Sequence, residues 1–174
     1  MIFNFKKHNS NNDLYNTLLS LSRNIFFYKK IRLNDNFETR INLMFFHFSV
    51  IMIVFKKKKE KFDQKSYDNL FHCIENNLRE LGFGDVSVNK KMKDLNKILY
   101  DILLKIDLSA TSKSKIKIND KIIFKYFSHK EVKKEPDFEN LIKYFIDFFN
   151  FCFELSLDSM IKNSKNYKYI YGST

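Results

Sequence analysis

A chain of 174 residues with 44% hydrophobic content can bury roughly 70% of its unfolded surface, which excludes wholesale disorder. Three glycines and one proline supply too few tight turns for an all-β fold, so the expected class is all-α, a single-domain bundle of about six helices. The formal net charge of +11 suits an anionic partner such as RNA, DNA or acidic lipid headgroups. A composition rich in Lys, Asn, Ile and Phe is equally what an AT-rich genome encodes.

Residues 1–12 read as an N-terminal extension. Its apolar segment is too short for a signal peptide, and no arginine precedes Arg23, against a mitochondrial transit peptide. Across residues 13–30, Leu14, Leu18, Leu21, Ile25 and Phe26 keep a helical period behind Asn12 or Asp13 as the cap. LNDNFETR then reads as a turn. INLMFFHFSVIMIVF, residues 41–55, has no charge. As a helix of about 22 Å it falls short of the ~30 Å hydrocarbon core, and His47 lies at its middle, so a buried central helix is expected.

KKKKEK follows at residues 56–61, where lysines complement a helix C-terminus and form a solvated loop. The functional reading of the same run is contact with phosphate on RNA or lipid. A third helix is expected over residues 66–81 with Leu70, Ile74, Leu78 and Leu81 on one face. Gly82 then closes it with a positive φ. Gly84 and Asp85 form a turn, and Ser87 or Asn89 caps a helix over residues 90–106, its lysines Lys90, Lys93, Lys97 and Lys105 turned outward. These two helices make a glycine-turn hairpin.

Residues 107–121 read as a loop, with a short piece near residues 116–127. SHKEVKKEPD is a charged connection whose Pro136 marks a helix start. In the last long helix Lys143, Asp147, Asn150, Glu154 and Asp158 form one polar stripe beside Phe145, Phe148, Phe149, Phe151 and Phe153. The aromatic side serves core packing or receives a client helix. The domain is expected to span residues 13–160, with a frayed polar tail over residues 161–174.

Motifs for catalysis are absent from the sequence. His8, His47, His72 and His129 have no metal-site spacing, Cys73 and Cys152 form no CxxC, and GFG at residues 82–84 lacks the spacing of a dinucleotide loop. The cysteines read as small buried apolar residues in a reducing compartment. His47 fits a haem ligand or a core histidine bonded to a carbonyl. The residues therefore describe a basic, helical, non-catalytic protein for which no metal or cofactor is expected.

NLRELGFGDVSVNKKMKDL, residues 77–95, resembles the signature of the ubiquinol–cytochrome c chaperone family. The matching positions are Leu78, Arg79, Glu80, Leu81, Gly82, Gly84, Asp85, Ser87, Val88, Lys90, Lys91 and Met92. A second block agrees in order and spacing: Leu14, Tyr15, Arg23, Phe27, Tyr28, Asp35, Arg40, Leu43 and His47. Together they cover residues 13–106. The chain departs from the family pattern at Asn89, where proline is common, at Asp101 and Ile102, where Gly-Arg is common, and around Lys125 and Tyr126, where an Arg-Asn pair is common.

The resemblance implies a chaperone that holds newly made cytochrome b while the respiratory bc complex assembles. Mitochondrial relatives act near the ribosomal tunnel exit with a small partner subunit. The positions expected to contact client or partner are Arg40, His47, Arg79, Glu80, Gly84 and Asp85. Lys56, Lys57, Lys58, Lys59, Lys90, Lys93 and Lys97 are expected to meet an anionic surface, on the ribosome or the membrane. The place expected is bacterial cytoplasm at the inner membrane, or the mitochondrial matrix for an organellar copy. The rival readings are a ribosome- or RNA-binding module without a cytochrome b client, and a peripheral membrane protein.

Overall fold

The computed structural model describes residues 13–108, 115–128 and 135–171. The N-terminal extension, His8, His129, and parts of the two expected connections and of the tail lie outside the described residues. Among the described residues the regular structure is helical: α1 (Asp13–Ser22), α2 (Ile25–Lys29), α3 (Phe37–Lys57), α4 (Gln64–Glu80), α5 (Asp85–Leu108), α6 (Asp120–Phe127), α7 (Phe138–Glu154) and α8 (Leu157–Asn163), followed by a 3-10 turn over Ser164–Asn166. The class is all-α and the bundle is a single domain.

Two of the six expected helices are each split in two. The apolar period runs unbroken through residues 13–30, yet Asn24 interrupts it, its side chain accepting from the Phe26 amide to start α2. Tyr28 fixes the bend by donating to the Ser22 carbonyl at 2.5 Å. The last helix ends at Glu154, and Asp158 belongs to α8, so the polar stripe stops one residue short of its expected length. Lys58 marks that break: its Nζ donates to the Leu155 carbonyl at 2.7 Å and lies 5.2 Å from the Phe153 ring.

Helix α3 is the axis of the fold and packs most extensively on α5, α1 and α7. It begins four residues before the uncharged run, capped by Asn36, which accepts from the Thr39 amide at 2.8 Å. Its 21 residues make it about 31 Å long. By length and composition it could cross a bilayer, but 83% of its apolar window is buried inside the bundle. That is the environment expected of a helix apolar on every side.

The phenylalanines of α7 are core. Phe145, Phe148 and Phe149 are fully buried; Phe145 and Phe148 stand edge-on to His47, and Phe145 also meets Phe46. The outer side of α7 is covered by the segment expected to be frayed. Tyr167 packs on Tyr144, Phe148 and Phe151, and Tyr169 packs on Phe26 and Tyr144. Tyr169 donates to Asn140, and Tyr171 donates to Asp137. The described tail is thus a lid on the core, and these rings leave no broad aromatic face on α7 for a client helix.

Candidate functional site

The hairpin turn forms as its residue types dictate. Helix α4 is capped by Asp63, which accepts from the Ser66 amide at 2.8 Å. It ends before Gly82, whose φ of +89° lets its amide and that of Phe83 bond back to the Arg79 and Leu78 carbonyls. Helix α5 then starts at Asp85, five residues earlier than its expected start, because the Gly84 carbonyl already accepts from the Val88 amide at 2.9 Å. Ser87 and Asn89 lie inside α5 and cap nothing. Asp85 sits where the helix dipole favours an acid.

The early closure turns Leu81 out of the α4 face, to 38% exposure. Leu81 and Phe83 instead form one wall of a groove against the first turns of α3. Phe37 and Ile41 make the opposite wall, and Leu95 and Ile98 of α5 line it as well. The cavity is about 460 Å³, of the size that accepts an apolar side-chain cluster. Its charged border is Glu38, Asp94 and Lys91, whose Nζ stands 4.6 Å from the Phe83 ring.

Asn42 also lines the groove. Its Nδ2 donates to the Tyr126 carbonyl at 3.0 Å, while its Oδ1 is buried with no partner among the described residues. A buried acceptor left alone costs about 1–3 kcal/mol.

The expected site residues fall into three places. Arg79 bridges the turn: it pairs with Asp85 across it and with Glu75 at 2.8 Å within α4. Those hydrogen bonds hold its guanidinium above its ordinary pKa. Glu80 and Gly84 are exposed beside it. Arg40 is drawn in, its Nε and Nη2 gripping both oxygens of Asp35 at 2.6 and 2.9 Å. That bidentate bond, against some burial, raises its pKa, with Tyr28 adding a hydrogen bond. Arg40 therefore ties the loop before α3 and offers little open surface.

His47 is in the core. Its Nδ1 stands 2.7 Å from the Leu43 carbonyl and its Nε2 2.8 Å from the Tyr144 hydroxyl. A carbonyl only accepts, so Nδ1 carries the proton and Tyr144 donates to Nε2. Burial lowers its pKa to about 3, partly opposed by the Leu43 bond. A neutral histidine with both nitrogens engaged and no exposure is packing, and it offers no contact to a client.

Of the lysines, Lys90, Lys93 and Lys97 are exposed on α5, with Lys97 bridging to Asp94 at 3.3 Å. Lys56 and Lys59 are exposed, Lys57 is half-buried, and Lys58 serves the fold. Sequence reasoning missed Phe83, Lys91, Asn42 and Ile98 as groove residues and placed Leu81 on the α4 face with Leu70, Ile74 and Leu78. The usable signal was Phe83 between two glycines, an aromatic that a turn has no need of. Two of the three departures from the family pattern meet in space: Asp101 accepts from Lys125 at 2.7 Å and from Tyr126 at 2.5 Å, and pairs with Lys105 at 2.8 Å. Burial alone would raise its pKa, but these partners hold it well below the usual carboxylate range.

Among the described residues no cluster of three His, Cys, Asp or Glu side chains stands together. The fold and groove define a class: a basic all-α bundle with an apolar groove at its hairpin turn. A family model described as ubiquinol-cytochrome C chaperone matches residues 29–165, most of the chain. The chain belongs to the ubiquinol–cytochrome c chaperone family. Membership carries a chaperone role in assembly of the bc complex, at the membrane where respiratory complexes are assembled. No curated protein and no solved structure matches the chain.

Proposed function

We propose that this protein is a non-catalytic chaperone that holds newly made cytochrome b, and that the groove at the hairpin turn is where the client is held. The observation that carries the reading is the apolar concavity of about 460 Å³ formed where the stretch of residues 77–95 meets the start of α3, with Leu81 and Phe83 foremost. A client segment would bury its apolar side chains between Phe37, Ile41 and Phe83, with charged neighbours meeting Lys91 or Glu38. Burying two leucine-sized side chains there is worth about 3–6 kcal/mol before the cost of association. No nucleotide motif drives a cycle, so release comes from competition, as the client folds around haem or meets its next subunit. A client that bound equally well before and after haem insertion would not be released this way.

The test is affinity purification of the tagged chain from translating cells in mild detergent. Cytochrome b is the expected leading partner, reduced at least about tenfold in Phe83→Asp and retained in Lys90→Glu. Recovery of ribosomal proteins without cytochrome b would replace this reading with the ribosome-binding module, with Lys90, Lys93 and Lys97 as its contacts.

A further inference from the structure

A second concavity lies toward the other end of α3. Met52, Ile53, Phe55, Phe62 and Leu103 enclose about 430 Å³. Tyr100 and Leu104, 59% and 58% exposed, stand one turn apart on α5 at its edge. Ile41 and Met52 are 11 positions apart on α3, so the two grooves are about 16 Å apart along the helix and share no lining residue.

Cations surround this second groove. Lys56 lines it, Lys57 ends α3, Lys59 and Lys61 follow in the loop, and Lys97 and Lys105 flank Tyr100 and Leu104 in α5. The neighbouring acids are outnumbered: Asp101 is held by Lys105 and Lys125 and Asp94 by Lys97, while Glu60 stands at the rim, Asp63 follows Phe62 and Asp68 adjoins Tyr67.

We propose that this groove and its lysine border are a docking surface for an anionic lipid bilayer, with Tyr100 and Leu104 entering the boundary between headgroups and acyl chains. Two chemistries side by side argue for lipid. The lysines match a surface of phosphates, and the leucine and tyrosine match what lies just beneath it. A polynucleotide would meet the cations but leave Leu103 and Leu104 without an apolar partner. A second copy related by a two-fold axis would bring one lysine border against its twin. The docking leaves the hairpin groove free for a client at the same membrane, as the two grooves share no lining residue.

The test is flotation of the full chain with vesicles of phosphatidylcholine alone and of an equal mixture with phosphatidylglycerol. Binding is expected only to the mixture. Tyr100→Asp with Leu104→Asp weakens it about tenfold or more, and Lys59→Ala with Lys61→Ala weakens it about fivefold for each lysine. Lys90→Ala with Lys93→Ala changes it less than about twofold. Absence of binding to the mixture overturns the proposal. So does indifference to the Tyr100 and Leu104 pair, an equal loss in the Lys90 and Lys93 control, or a solution dimer abolished by Leu104→Asp. Ribosomal RNA binding that needs Tyr100 and Leu104 when vesicle binding does not would also overturn it. Phe83→Asp is expected to float normally, so failure of the client reading and failure of this one are told apart.

Discussion

His47 has a donor use for one ring nitrogen and an acceptor use for the other, both met inside the core. The unfolded chain takes a proton on this ring below about pH 6.5, while the folded chain resists until about 3. The stability this residue gives is therefore whole above pH 6.5, and it declines on acidification by up to about 1.4 kcal/mol per pH unit. Urea unfolding of the His47→Gln variant should show lower stability at neutral pH by about 1–3 kcal/mol and a shallower decline between pH 6.5 and 5. Equal declines in both chains would contradict the assignment. Tyr144→Phe leaves Nε2 a buried acceptor without its donor, and the expected cost is again about 1–3 kcal/mol. A midpoint unchanged by that substitution would mean that the bond contributes nothing.

The hairpin separates its two glycines at the scale of an element. Gly82 has the left-handed φ that a side chain resists, while a Cβ at Gly84 would meet nothing within 4 Å. Gly82→Ala should cost about 1–2 kcal/mol, and Gly84→Ala should stay within about 0.5 kcal/mol of the parent. Equal losses in thermal unfolding would show that both positions need glycine. The hairpin, the central helix and the stripe on α7 were legible because long runs of apolar spacing report burial directly. Helix ends were not. Asn24 breaks a period that apolar residues carry straight through, and Ser87 and Asn89 have the chemistry of caps although Gly84 had already started the helix. Leu81 keeps the spacing of the α4 face, yet the turn takes it away. The groove was illegible for the same reason, since it joins residues from α3, the turn and α5 whose meeting is set by packing. Arg40 and His47 were picked out as special and are so, but for holding the fold.

At the scale of the molecule the bundle divides its work. The aromatic core packs α3, α7 and the closing tyrosines together, and the turn between α4 and α5 meets the start of α3 in an apolar groove. The claim at the centre is that this groove receives newly made cytochrome b, and site-specific photo-crosslinking from the groove in actively translating cells tests it most directly. With a photoreactive side chain at Phe83, newly made cytochrome b should be captured, the signal should fade once haem is inserted, and the same probe at exposed Ile170 should capture little. Capture of cytochrome b at Ile170 with none at Phe83, or equal capture before and after haem insertion, would contradict the account.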